Sequence, residues 1–306
     1  MNIITGITAP LNLKRPIITI GTFDGLHLGH QAIFETMKQE AVAQNAETAV
    51  VTFNPHPRLV LGQQVYLLNT QAEKRALLAE MGIQHMIEIP FTREFARHSA
   101  NEFIEMIAHN IQPRMVIIGF DHGFGQGRSG DINHFYQSAQ KHDYSIKQVD
   151  ELVVDGQKVS SSVVRWLLQE GQAMQATRLL GRRYEITGQV VRGNQIGRLI
   201  GYPTANLYLN DPNKLIPAMG VYASKVYYNN RIYNGMTNIG MRPTISAYKL
   251  TIETNIFGFD KDIYYESLTI QLVKRIRNEK KFGSLDVLKA QLSEDKVKTM
   301  EILGRG

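Results

Sequence analysis

Two histidines, His27 and His30, stand three residues apart at the end of the run GTFDGLHLGH, residues 21–30. On a helix that spacing puts both imidazoles on one face. A β-branched apolar segment at 17–20 leads into the run, and an amphipathic pattern over about 28–42 leaves it. The run is therefore a strand-to-helix turn. Its imidazoles lie where unpaired amides and the helix macrodipole favour an anion. Gly25 and Gly29 remove side chains where a ligand could approach the backbone. Such a site suits nucleotide phosphates. It could neutralise charge on ATP as pyrophosphate leaves, with no covalent intermediate.

A second set of groups lies far along the chain. Ser160, Ser161 and Ser162 open a helical pattern that ends at Gly171, with Arg165 one turn in. Serines commonly cap helices, but three in a row exceed what a cap needs. A phosphate held by Ser161, Ser162 and Arg165 would gain hydroxyl and charge-assisted hydrogen bonds. Asp121 and Arg128 sit in a loop with Gly123, Gly125, Gly127 and Gly130. A loop at a strand end is a common place for ligand contacts.

The elements that must position these groups are strands alternating with helices. Short apolar runs at 17–20, 49–53, 86–89, 115–119 and 145–149 predict strands buried on both faces. Thr70 with Glu73, and Ser99 with Glu102, predict capping boxes that open two of the helices between them. The alternation predicts an α/β domain with a doubly wound parallel sheet, which binds ligands beyond the carboxyl ends of its strands. The polar motifs follow those ends, including Asn54-Pro55-His56-Pro57 after the second run and the turn Asp155-Gly156 after the fifth.

Near residue 182 the pattern changes. Closely spaced strands are predicted at 184–191, 221–228, 232–237, 250–256 and 268–273, with Asn229-Asn230 as a hairpin loop. This predicts an antiparallel barrel or sandwich, closed by an amphipathic helix at about 284–292. The expected domains are 1–182 and 183–306.

The chain has 306 residues, 43% of them apolar and 20% charged, which suits two globular domains. It lacks cysteine, which excludes disulfides, thiolate metal sites and cysteine nucleophiles. No run of about 18 apolar residues predicts a membrane span. No secretory pattern opens the chain, so the cytoplasm is the expected compartment. The net charge of +6 suits anionic small molecules or nucleic acid. The basic run Lys274, Arg275, Arg277, Lys280 and Lys281 has no aromatic recognition motif beside it. A solvated strand end, or contacts to small phosphates, is the expectation, with no nucleic-acid partner.

Taken in order, these motifs resemble one family. GTFDGLHLGH, TFNPHP, GFDHGFGQGRSG and VSSSVVRWLLQEG in the first half are similar to the nucleotidylyltransferase superfamily. With LGRRYEITGQVVRGNQIGRLIGYPTAN, GVYA, GMTNIGMRPT, TIET and KRIRNEKKF, the chain from about 14 to 295 resembles the bifunctional prokaryotic riboflavin kinase/FAD synthetases. The resemblance implies a riboflavin kinase barrel with a terminal helix in the second domain. It implies that ATP phosphorylates riboflavin to FMN there, and that a second ATP adenylylates FMN to FAD in the first domain. It gives Gly21, Phe23, Asp24, His27, Gly29, His30, Asp121, Arg128, Ser161, Ser162 and Arg165 to ATP and pyrophosphate. Asn54, His56, Pro57 and Phe124 fall on the flavin side. In the second domain it gives Gly193, Gly197, Arg198, Gly201, Pro203 and Arg242 to nucleotide or flavin. Thr204 and Asn206 would serve Mg²⁺, whose hardness suits their oxygens. Glu253 becomes the expected general base. The oligomeric state is left open, a homo-oligomer included.

The chain departs from the family pattern at a few places. Ser162 stands where Thr is frequent, Arg183 where Pro is common, Phe120 where some members are polar, and Tyr265 where Gly is common. The rivals are a related transferase with another acceptor, such as phosphopantetheine or a nicotinamide mononucleotide, and a degenerate RNA-binding module.

Overall fold

The strand that leads to the histidines is buried at every residue. In the computed structural model, which describes residues 1–120, 123, 125, 127, 130–193, 195–243 and 248–304, β2 (Ile17–Ile20) runs through the centre of a parallel sheet. Its neighbours are β3 (Thr48–Asn54) and β5 (Met115–Gly119). β4 (His85–Pro90) and β1 (Asn2–Thr5) extend one side and β6 (Ser145–Val149) the other, in the order β1-β4-β3-β2-β5-β6. All the pairings in this sheet are parallel.

Helices cover both faces, as the continuous apolar strands require. On one face, α1 (Leu28–Ala43) and α3 (Gln71–Glu80) bury Phe34, Met37, Leu77 and Leu78 against Ile17, Val50 and Met86. On the other, α4 (Ala100–Asn110) and α5 (Ile132–His142) bury Phe103, Ile104, Ile107 and Phe135 against Ile18, Val51 and Val116. Both predicted capping boxes are formed, Thr70 with Glu73 and Ser99 with Glu102. The chain winds from β2 outward through β3 to β4, then crosses back to β5. The direction therefore reverses between β2 and β5, and at such a switch point the strand ends splay to leave a crevice. The short helix α2 (Pro57–Val60) and the hairpin β7 (Val153–Val154) with β8 (Gln157–Lys158) complete this unit, Met1–Ser161.

The second unit is Ser162–Gly306. Apart from its first residue, α6 (Ser161–Gln169) belongs to it, as does α7 (Ala173–Leu180), so the compact division lies earlier than the divide predicted near residue 182. The Ala218 amide donates to Leu168 O, and Arg275 lies against Gly171, which tie the end of α6 to the barrel. The barrel is antiparallel and closed, which removes exposed sheet edges. It comprises β9 (Tyr184–Val191), β10 (Ala205–Tyr208), β11 (Gly220–Tyr228), β12 (Arg231–Pro243), β13 (Tyr248–Ile256) and β14 (Ser267–Arg277), in the order β10-β13-β12-β11-β14-β9. Closure settles barrel over sandwich. Ile186, Val226, Ile239, Ile252 and Ile270 are buried from alternate strand positions. Ser224, Thr237 and Thr254 form a buried hydroxyl chain at 2.8 and 2.9 Å. The short helix α8 (Ile196–Leu199) lies between β9 and β10.

Some elements run further than the local pattern predicts. The last helix, α9 (Leu285–Leu303), passes the expected end near 292, and β14 continues to Arg277. Asp295 is fully buried and takes the Arg277 guanidinium at 2.8 to 3.0 Å. Arg275 donates to Met219 O. Both arginines of the basic run are thus engaged within the fold, and the expected solvated strand end is corrected at these positions. Tyr265 sits at φ +69°, in the left-handed region that costs an L-residue about 1–2 kcal/mol. That is why glycine suits this turn. Tyr265 keeps the turn's hydrogen bond, its amide donating to Val190 O at 2.8 Å.

Candidate active sites

The first site grows from the end of β2. Gly21 N donates to Val51 O, and the chain then turns through Phe23 and Leu26, both buried at positive φ. Gly25 is required at its position. It sits at φ +90°, and a Cβ there would stand 2.5 Å from Leu68 Cδ1. Asp24 is 2% exposed, and its carboxylate accepts from the amides of Leu68 and Asn69 at 2.9 to 3.2 Å. The Asp24 carboxylate thus shapes the turn from inside the protein. Lys74, which the sequence pattern did not single out, is 5% exposed and donates to Thr22 O at 2.7 Å. Burial pulls its ammonium below the usual lysine range, opposed by Asp24 and Glu88. Its only sequence trace is a charge on the inner face of an amphipathic helix.

α1 begins with an unusual cap. His27 occupies the N-cap, where Ser, Thr, Asp and Asn are preferred. Its Nδ1 accepts from His30 N at a long 3.4 Å, and the first turn holds no acidic residue. No carboxylate of the helix's own first turn compensates its positive end. The two imidazoles stack with centroids 3.6 Å apart, and Phe23 packs edge-on against His30 at 5.2 Å. A Cβ on Gly29 would press on the His27 ring at 3.3 Å. The predicted second motif arrives at the same turn, since Ser161 Oγ donates to Asp24 O at 2.8 Å. Ser162 and Arg165 follow on α6.

Around the end of β3, the Asn54–Pro55 peptide is cis. His56 caps α2, its Nδ1 accepting from Arg58 N, and Pro57 is the first helical residue. Asn54 also touches the Glu88 carboxylate, which Arg75 clasps with two bonds at 2.6 and 2.7 Å. Burial pushes the Glu88 carboxyl up, but Arg75, Gln71 and Asn54 hold it below the usual range. Asp121, Phe124 and Arg128 lie outside the described residues. Phe120, just before them, is 61% exposed, and its carbonyl accepts from Gln148.

The second site is built on strands. Asn206 of β10 lies opposite Glu253 of β13, and Asn238 of β12 opposite Glu253 on its other side. Glu253 points off the barrel interior, between the buried residues Ile252 and Thr254. One carboxylate oxygen takes Arg242 Nη2 at 2.5 Å, and the other lies 3.4 Å from the Thr204 hydroxyl. Gly193 admits the Asn206 amide, because a Cβ there would stand 2.5 Å from Asn206 Nδ2. Gly197 lets the loop close on Tyr202, whose amide donates to Gly197 O at 2.7 Å. Gly201 turns at φ +83°. Arg198 is exposed on α8. Two further residues support the site. Asn255 Nδ2 holds Pro203 O at 2.6 Å, and Glu279 accepts from Met241 N at 3.2 Å. The TIET spacing could have flagged Asn255, on the same strand face as Glu253; Glu279 has no local cue. The Thr204 hydroxyl and the Asn206 amide, on the strand register opposite Glu253, offer oxygens of the hard kind that fits Mg²⁺.

A family model described as FAD synthetase matches residues 10–163, and one described as riboflavin kinase matches residues 180–303. A bifunctional riboflavin kinase/FMN adenylyltransferase of Escherichia coli is 33% identical over 292 residues, 94% of this chain and 93% of that protein. One of Bacillus subtilis is 34% identical over 288 residues, 92% and 90% of the two chains. A crystal structure from Streptococcus pneumoniae, described as a macrolide-efflux protein, is 30% identical with a TM-score of 0.89, covering 98% of this chain and 99% of that one. No helix among the described residues here is long and apolar enough to cross a membrane. With both family segments present in order and relatives matched along nearly their whole length, the chain belongs to the bifunctional riboflavin kinase/FMN adenylyltransferase family of flavin-cofactor biosynthesis.

Proposed function

We propose that the second unit makes FMN from riboflavin and ATP, and that the first unit adenylylates FMN with a second ATP. The observation that carries this reading is the placement of Glu253 among Thr204, Asn206 and Arg242 in the second unit, together with the imidazole pair on a helix start without acidic residues in the first. A riboflavin hydroxyl must lose a proton as it attacks the γ-phosphorus of ATP. Glu253 takes that proton and ADP leaves. Thr204 and Asn206 would hold Mg²⁺, which neutralises phosphate charge when bound. Arg242 orients the carboxylate and meets phosphate or flavin, and Gly193, Gly197, Arg198, Gly201 and Pro203 form the loop against the nucleotide.

FMN brings an anionic phosphate oxygen, so its attack on the α-phosphorus needs no base. His27, His30 and the α1 amides bind the ATP phosphates and stabilise charge as pyrophosphate departs. Gly21, Phe23 and Gly29 keep the backbone within reach. By sequence, Ser161, Ser162 and Arg165 serve the pyrophosphate side, Asp121 and Arg128 the nucleotide, and Asn54, His56, Pro57 and Phe124 the flavin. On this reading the functional divide stays near residue 182, beyond the compact one, because the α6 start serves the first reaction. We place the enzyme in the cytoplasm, where ATP is at hand.

Purified protein supplied with riboflavin, ATP and Mg²⁺ should yield both FMN and FAD on chromatography. FMN accumulating without FAD would sink the assignment of the first unit. A flavin fluorescence titration separates this reading from a related transferase with another acceptor.

A further inference from the structure

Away from both sites, α4 and α5 bring three metal-binding side chains together. Glu105 and His109 are four residues apart on α4 and so share a face. His142 is the last residue of α5. Nε2 of His142 lies 2.8 Å from Glu105 Oε2, and Nε2 of His109 lies 3.3 Å from the same oxygen. The donor atoms of all three residues fall within 4.8 Å of one another, and the two rings meet edge to face at 4.9 Å. His142 Nε2 is buried and close to the carboxylate, yet is not aligned for a hydrogen bond with it. Ion pairing alone leaves that nitrogen poorly served.

We infer that Glu105, His109 and His142 form a Zn²⁺ site. Two imidazole nitrogens and one carboxylate oxygen are a common zinc donor set, with a fourth position left for water. Ligand atoms at about 2.0–2.1 Å from a tetrahedral Zn²⁺ stand about 3.3 Å apart, so the observed separations need only small side-chain shifts. Mg²⁺ is a poor occupant, because it demands octahedral oxygen ligands. An open groove along α4, lined by His98, Glu102, Glu105 and His109, gives the ion a path from solvent.

The location assigns the role. α4 and α5 run antiparallel to the strands they connect, so their carboxyl ends lie at the amino edge of the sheet. His27 and His30 lie at the opposite, carboxyl edge. The ion would clip α4 to α5 just before β5 and β6 begin. Next to each histidine the chain is already tied to the amino-terminal segment. Asn110 Nδ2 donates to Ile7 O at 2.7 Å, and Arg15 pairs with Asp143 at 3.1 Å. Zn²⁺ here is a structural clamp on the adenylyltransferase unit and takes no part in its chemistry.

The test uses full-length protein stripped with a chelator and titrated with Zn²⁺ against a chromogenic competitor. Co²⁺ absorption serves as a geometry probe. Wild type should bind one more Zn²⁺ than His109→Ala or His142→Gln, show tetrahedral Co²⁺ bands that both variants lose, and melt higher with Zn²⁺ added. Loss of a ligand should weaken binding by more than the 10–100-fold typical of a second-shell partner. His109 is on the surface, so His109→Ala carries the comparison if His142→Gln does not fold. Equal Zn²⁺ binding by wild type and His109→Ala overturns the site. So does an ion that His27→Ala removes and His109→Ala keeps, since that ion would belong to the nucleotide site.

Discussion

The two sites handle phosphate with different means. On the reading proposed, the first uses a helix start, a stacked histidine pair and backbone, and two buried carboxylates described in that unit are engaged within the protein. Asp24 is consumed by the Leu68 and Asn69 amides, and Glu88 by Arg75. The second relies on strand pairing that sets a carboxylate, a hydroxyl and an amide side by side. The difference follows the acceptors. A phosphate oxygen arrives ionised, and a carboxylate beside it would only repel it. An alcohol arrives protonated and needs a base. On that reading the chemistry of the nucleophile accounts for Asp24 and Glu88 being engaged inside the first unit, while Glu253 of the second stands beside Thr204 and Arg242.

That contrast can be broken most easily at its two poles. Glu253→Gln keeps the shape but removes the base. FMN formation from riboflavin should fall by about 10²–10⁴-fold, while FAD formation from supplied FMN stays at the wild-type rate. His27→Ala should show the reverse, with FAD formation down by about 10²–10³-fold and FMN formation spared. Equal loss of both products in either variant would contradict the division. A smaller effect is expected of Gly193→Ala, whose methyl would displace the Asn206 amide. A misplacement of that size costs up to about 10²-fold in the kinase step, and single-turnover measurement with supplied FMN should show the other step unchanged.

The smallest effect concerns charges that only support the fold. Glu88 has a folded pKa below its ordinary 4.5. Between the folded and unfolded values the unfolded chain binds more protons, so stability rises with pH across that window. The stabilisation is complete above about pH 4.5 and is lost as pH falls through the folded value. Glu88→Gln should therefore flatten the acid limb of the melting curve while leaving FMN formation at neutral pH intact. An unchanged acid limb would mean that the Arg75 clasp adds no pH-dependent stability.

Much of this was legible in the sequence where local pattern and position coincide. β2, β5 and β9 are set by short apolar or alternating runs between turn residues, and both capping boxes are local by nature, whereas β6, expected to be buried on both faces, is a largely exposed edge strand held by its pairing with β5. The strand-to-helix turn was legible because a buried strand, glycines and two histidines sit within a few residues. What was not legible depends on distant partners. β1 is a four-residue edge strand, largely exposed, that gains its identity by pairing with β4. β10 is equally short and is fixed by β9 and β13. α9 runs past its charged stretch because Asp295 finds Arg277, which no local window contains. Lys74 looked like an ordinary polar residue, and Asp24 was expected at ATP from the family resemblance; only the packed turn shows both facing inward.

The most direct measurement mixes the two crippled proteins. Glu253→Gln alone should make almost no FMN from riboflavin, and His27→Ala alone should stop at FMN. If each unit performs one reaction, FMN released by His27→Ala will reach the intact first unit of Glu253→Gln, and the mixture will turn riboflavin into FAD. A mixture that makes no more FAD than the two variants assayed separately, although FMN accumulates in solution, would contradict the division of labour.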